Sequence, residues 1–385
     1  MLVLSKPTLG ASLGLVLLVT SAVAMEIKPD YVVQYTPENA ILGYFSATKK
    51  PVLTVKSGAV VRLEVGGGSR WGDKDPNVWL KENNIPGTID DYPALVETIK
   101  VANETPNRLP PQEPPPGTPP PPPGSPARRG GGHQLVGPVY IEDAEPGDTL
   151  EVRILDVTPR IPYGSVGANP GSGALADLVP RPFSKIVPLD LKRNAGVFDE
   201  GVEVPLAPFN GVMATCPPDS EGPDRRSGPP GVFGGNLDCK ELVAGTTLYL
   251  PVFQKGALYY TGDCHAAQGD GEITVNAIET ANVSTVQFIL HKGMKLTAPR
   301  AETPTHYITF GLDPDLDKAM RMAMIETVEF LKEKQSYDFH HAYTLASIAV
   351  DFRVTQVVDK TLGIHAMIPK KLFVKDGNPY WYRPR

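Results

Sequence analysis

The sequence predicts a mainly β fold: a sandwich or barrel-like core with long loops, and a smaller α+β module at the carboxy terminus. Three observations lead there. The 41 prolines and 37 glycines in a chain of 385 residues favour turns and short strands over long helices. Runs of β-branched and alternating apolar residues recur from residue 31 to about residue 300. Clear helical spacing starts only after Asp313.

Taken in order, residues 1–24 read as a signal peptide. An uncharged apolar stretch from Leu9 to Val23 ends in Ala22-Val23-Ala24, a small-x-small cleavage pattern. No later apolar run is long enough to span a bilayer. The mature chain, from Met25, is therefore expected to be exported, periplasmic or extracellular, and free of the membrane. Residues 25–108 form an amino-terminal β segment, with two strands in 51–65 around a Ser57-Gly58 turn; 66–108 carry no pattern that places them. Residues 109–132 read as a disordered or polyproline II insertion. Eleven of the 17 residues from Pro110 to Pro126 are proline, which has no amide for a sheet ladder.

The β core spans 133–300, with strands expected at 137–142, 149–157, 183–190, 195–198, 246–253, 272–279 and 284–291. The carboxy-terminal module, 301–385, is expected to pack on that core. Asp313 as N-cap and Pro314 in the first turn start its helix. Leu316, Met320, Ala323, Met324, Thr327, Val328 and Leu331 fall on one stripe suited to core packing. A short helix at 341–348 and a strand at 350–358 complete it.

Composition narrows the function. The 37 Lys and Arg against 43 Asp and Glu give a net charge of −6, which argues against nucleic-acid binding. Three cysteines, Cys216, Cys239 and Cys264, cannot all pair within one chain, so this is no disulfide scaffold.

The densest chemical stretch is Gly262-Asp263-Cys264-His265-Ala266-Ala267-Gln268-Gly269-Asp270-Gly271-Glu272. Small spacers let the backbone turn tightly beside a substrate. Its nitrogen and oxygen donors suit zinc or another divalent metal with an open position. A second cluster, Gly234-Gly235-Asn236-Leu237-Asp238, places Asn236 and Asp238 on one side if extended. His133 is a third candidate. The other histidines, His291, His306, His340, His341 and His365, have no ligand-like neighbours.

These motifs, in this order, resemble the acetamidase/formamidase family over nearly the whole mature chain. Further matches are residues 137–142 with 144–148, Pro208-Phe209-Asn210-Gly211-Val212-Met213, the 313–323 helix and Val354-Thr355-Gln356-Val357-Val358-Asp359. The resemblance implies a largely β fold, a divalent metal and hydrolysis of small linear amides to carboxylate and ammonia, with a homo-oligomer as the expected assembly. Joined to the residues, it implies Asp238, Asp263 and His265 as metal ligands, with His133 as a fourth and zinc as the first expectation. Glu272 or Glu142 would act as general base and then acid. Asn236 and Gln268 would hydrogen-bond the substrate amide.

Two features set alternatives beside this. Cys264 next to His265 suggests a thiolate nucleophile, but neighbours in an extended segment point opposite ways. Phe233 stands where related sequences carry histidine, which raises a catalytically degenerate small-molecule binding protein on the same scaffold. A protein that interacts through its proline block is the third reading.

Overall fold

The computed structural model describes residues 27–72, 74–110, 132–377 and 380–382. The expected signal peptide and nearly all of the proline-rich insertion lie outside the described residues.

Two sheets face each other. The larger has nine strands, in spatial order Tyr31–Val33, Val60–Glu64, Asn282–His291, Thr149–Pro159, Thr247–Pro251, Arg300–Glu302, His306–Asp313, Leu362–Pro369 and Asp351–Gln356. The smaller runs Gly234–Asn236, Phe209–Ala214, Tyr259–His265, Gln134–Ile141 and Ala40–Leu42, with Leu53–Val55 also paired to Gln134–Ile141. Leu150, Val152, Val286 and Phe288 of the larger sheet meet Val139, Met213 and Tyr259 of the smaller in one buried core. Tyr259 and Phe288 cross it edge to face, with ring centroids 4.9 Å apart. The smaller sheet is buried on its other face too, where Leu135, Val212 and Tyr260 pack with Phe45 and Phe233. Burial on both faces leaves Phe209–Ala214 and Tyr259–His265 without the exposed alternate residues of a half-solvated sheet. Three free cysteines, all buried, agree with the absence of a disulfide framework.

The carboxy-terminal residues extend the large sheet as well as packing on it, and the boundary expected at 300/301 falls inside the strand Arg300–Glu302. A strand absent from the sequence reading, Leu362–Pro369, joins His306–Asp313 to Asp351–Gln356. Helix Leu316–Gln335 lies against this region through Ala319, Ala323, Thr327, Val328 and Leu331. Its approach is close: a Cβ at Gly311 would sit 2.0 Å from the carbonyl oxygen of Ala319. The helix cap is Asp315 rather than Asp313, because Asp315 Oδ1 accepts the amides of Asp317 and Lys318. Asp313 ends a strand instead. A second helix, Phe339–Ala349, has Asp338 as its cap.

Two further corrections bear on the site. Residues 66–108 hold two helices, Pro76–Glu82 and Pro93–Glu104, each with proline at its first turn. Asp75 caps the first through the amides of Asn77 and Val78, and Trp79, Leu80 and Leu95 pack with Ile161 and Tyr163. Residues 272–279 do not form a strand. Glu272 and Val275 adopt φ of 42° and 65°, and the segment folds into successive turns.

Candidate active site

Strand Tyr259–His265 supplies the first pair of groups. Asp263 has φ of 58°, a left-handed conformation that aspartate tolerates better than most residues. It interrupts the alternation of the strand. Asp263 lines the cavity and His265 lies directly against it, while Cys264 packs with the core between the sheets and reaches only the cavity wall. Asp263 Oδ2 lies 3.4 Å from His265 Nε2. Gly262 permits this path, since a Cβ there would meet the Gln134 carbonyl oxygen at 2.1 Å.

Asp238 arrives from the edge of the smaller sheet, beyond Gly234–Asn236. It too is left-handed, at φ 46°, and its amide donates to the Gly211 carbonyl at 3.3 Å. Its Oδ1 is 3.9 Å from His265 Nδ1. Pairing passes from Asn210–Cys264 to Val212–Gly262, which leaves Gly211 facing the cluster. A Cβ at Gly211 would lie 2.2 Å from Asp238 Oδ1, 2.7 Å from Asp263 Oδ2 and 3.0 Å from His265 Cε1. Beneath them, Asn282 Nδ2 donates to the carbonyls of Phe209 and His265, which fixes the two strand ends together.

Two more segments close the site. Gly271 pairs with Gln356, so the turn carrying Glu272 hangs on the strand Asp351–Gln356. Just past that strand, Asp359 enters, bound at 2.9 Å by Asn236 Nδ2. Glu279, returning from the 272–279 turns, places Oε1 3.5 Å from His265 Nε2. The cavity so enclosed measures about 300 Å³.

The charges are crowded. Burial alone would lower His265, but Glu279 and Asp263 raise it to about 10. Burial opposes ionisation of Asp263, yet His133 and His265 hold its carboxyl well below the usual range. Asp238 is driven far up by burial, then by Glu272 and Asp263. Burial, opposed by His265 and reinforced by Asp359, pushes Glu272 up to about 8. Burial also raises Glu279 and Asp359.

A metal fits this donor set. His265 is 1% exposed, yet neither ring nitrogen has a hydrogen-bond partner, and Asp238 Oδ1 is likewise unpartnered. Such buried polar atoms are costly unless something satisfies them. One ligand atom each from Asp238, Asp263 and His265 lies within 4.8 Å of the others. One imidazole with two carboxylates suits zinc and other borderline divalent ions.

The remaining expected residues are distributed differently. His133 lines the cavity, but its Nδ1 faces Ser227 Oγ at 3.2 Å and it joins none of the ligand groups. Glu142 follows the far end of Gln134–Ile141, some 20 Å or more along the strand from the cavity lip at Gln134. Its amide pairs with Val55, and the cavity wall does not include it. Asn236 uses its amide nitrogen on Asp238 and Asp359, and Gln268 donates to the Asp238 carbonyl at 2.5 Å. Asn236 thus braces two carboxylates, and Gln268 braces the backbone that carries Asp238. Phe233 is fully buried against Phe45, 5.5 Å between centroids, on the face of the small sheet away from the core.

A family model described as acetamidase/formamidase matches residues 128–223 and 220–375. The chain belongs to the acetamidase/formamidase family. It is 29% identical over 325 residues to a formamidase of Methylophilus methylotrophus, covering 64% of this chain and 78% of that protein. An acetamidase of Mycolicibacterium smegmatis is 28% identical over 294 residues, 55% of this chain and 72% of that one. The solved structure of an acetamidase from Bacillus halodurans superposes with a TM-score of 0.69 at 28% identity, over 90% of this chain and all of the other.

In this acetamidase/formamidase chain the matched motifs converge in space. Residues 208–213 supply Gly211, 234–238 supply Asp238, 262–272 supply Asp263, His265 and Glu272, and 354–359 supply Asp359. Sequence reasoning missed Glu279 and Asp359 as site groups because a misplaced strand absorbed the first and only motif likeness marked the second. It also missed Arg70, which lines the cavity mouth from the Gly66-Gly67-Gly68-Ser69 loop and donates Nε to Ser165 Oγ at 2.9 Å.

Proposed function

We propose that the protein is an exported, metal-dependent amidohydrolase that cleaves short linear amides to carboxylate and ammonia. The observation that carries this reading is His265: buried, unpartnered at both nitrogens and ringed by carboxylates, in a chain of the acetamidase/formamidase family. Asp238, Asp263 and His265 would hold the metal, zinc first, which supplies Lewis acidity to an otherwise unreactive amide.

Glu272 is the proton carrier. It lines the cavity, and burial places its proton exchange near neutrality. It takes the proton of the attacking water and returns it to the departing nitrogen. A cation beside it would favour its carboxylate, the form a base needs. Arg70, whose terminal nitrogens have no ion pair within 4.0 Å among the described residues, faces the developing carboxylate from the mouth.

The degenerate binding-protein reading rested on Phe233, and Phe233 lies outside the cavity. Export is supported by the apolar stretch from Leu9 to Val23 and its small-residue end. A mature amino terminus at Met25 after expression in a secreting host would support it; an intact Met1 would refute it.

Ammonia release from formamide, acetamide and propionamide tests the activity, with and without chelator and after zinc is restored. Chelator-sensitive release is expected. No release from any of the three at full metal loading would overturn the substrate class, and chelator-insensitive release would overturn the metal.

A further inference from the structure

Asp238 divides its two oxygens between different neighbours. Oδ1 faces His265, at 3.9 Å from Nδ1, and shares with Asp263 Oδ2 the space above Gly211. Oδ2 accepts from Asn236 Nδ2, the same nitrogen that donates to Asp359 Oδ2 at 2.9 Å. One neutral hydrogen-bond donor thus already sits between these two carboxylates. Ligand atoms of Asp238, Glu272 and Asp359 lie within 4.8 Å of one another, as do those of Asp238, Asp263 and His265. The two triads have Asp238 alone in common.

Charge points the same way. Asp238, Asp263, Glu272, Glu279 and Asp359 surround one imidazole, and a single divalent ion offsets less than half of their full ionisation. Asp238 and His265 are each 1% exposed and carry unpartnered polar atoms into the cluster, so this is more than a patch of surface acids.

We propose that the site binds two divalent cations bridged by the Asp238 carboxylate. The first is held by Asp238, Asp263 and His265, the second by Asp238, Glu272 and Asp359. Bound through one oxygen, Glu272 would keep its other oxygen for the proton. A carboxylate bridge suits the spacing of roughly 3.5–4 Å that paired catalytic ions adopt. The inference rests on the metal-dependent reading above and extends it from one ion to two. Asn236 would release Asp359 to the second ion and, by rotating its amide, could present the Oδ1 that now lacks a partner.

Metal counting on the full mature chain separates the two readings. The protein is stripped with chelator, reloaded with Zn²⁺ and analysed for bound metal after removal of the excess. About two equivalents per chain are expected, falling to about one in Asp359→Asn. One equivalent in the saturated wild type would overturn the pair and leave the single-metal reading standing; none would overturn both. A Mn²⁺-loaded wild type gives a second readout that no folding defect can mimic. An exchange-coupled electron paramagnetic resonance spectrum is expected, and two uncoupled ions would overturn the bridge.

Discussion

Asp263 and His265 stand two residues apart on one strand, with Oδ2 of the first 3.4 Å from Nε2 of the second, and the backbone at Asp263 is left-handed. Asp238 and Glu272 are left-handed as well, at φ 46° and 42°. Strain of this kind is held by the surrounding structure and gathers at functional sites.

Gly211→Ala should disable the site without unfolding the chain. The new methyl would sit 2.2 Å from Asp238 Oδ1 and 2.7 Å from Asp263 Oδ2, so the two carboxylates must part. Displacement by about an ångström costs on the order of 100-fold in turnover. Weaker metal retention and such a loss, with an unchanged circular dichroism spectrum, are expected. Normal metal content and activity would contradict the placement of Gly211.

Glu272→Gln should lower kcat by roughly 10²–10⁴-fold, the range for loss of a general acid–base group. A kcat within a factor of a few of wild type would remove Glu272 from its role. Glu142→Gln, remote from the cavity, should leave both kcat and KM unchanged.

Stability of the metal-free protein should fall as pH rises. Glu272 is raised from 4.5 to about 8, so across that window the folded state holds a proton that the unfolded state has released. Its contribution is complete below the unfolded value and is lost as pH climbs toward 8. Asp238, Glu279 and Asp359, also raised, act in the same sense. His265, raised from 6.5 to about 10, extends the decline above 6.5. Thermal melts of the chelated chain between pH 5 and 8 check this, and a Tm that stays flat or rises would refute the sign.

Phe233→Ala should be a stability variant. The ring is fully buried among Phe45, Val212 and Tyr260, and removing it should cost about 3–5 kcal/mol. At a temperature where the variant remains folded, its metal content should match wild type. Metal loss without destabilisation would return Phe233 to the site. Cys264→Ala should likewise keep full turnover, because the thiol packs in the core and burial raises its pKa beyond the reach of a useful nucleophile.

Much of the β core was legible because its strands alternate or run apolar between turn residues, as at 183–190 and 284–291. The helices in 66–108 were hidden by their shortness, although Asp75-Pro76 carried a capping signal that could have been used. The strand expected at 272–279 failed for a definite reason. Its β-branched residues fit a strand, but Gly269 and Gly271 and the left-handed Glu272 and Val275 coil it into turns. Asp238, Asp263, His265 and Glu272 were readable as a dense polar motif; whether His133 or Asp359 joined them depended on long-range pairing. No local pattern reports that Asn236 binds a carboxylate 123 residues away.

That pairing has a consequence for biosynthesis. The six titratable groups of the site run from Asp238 to Asp359, and the turn bearing Glu272 is hung on the strand that ends at Gln356. A ribosome must therefore finish nearly the whole polypeptide before the cluster can close. No amino-terminal fragment, nascent or proteolytic, contains a complete site, and loading with metal belongs to the finished chain.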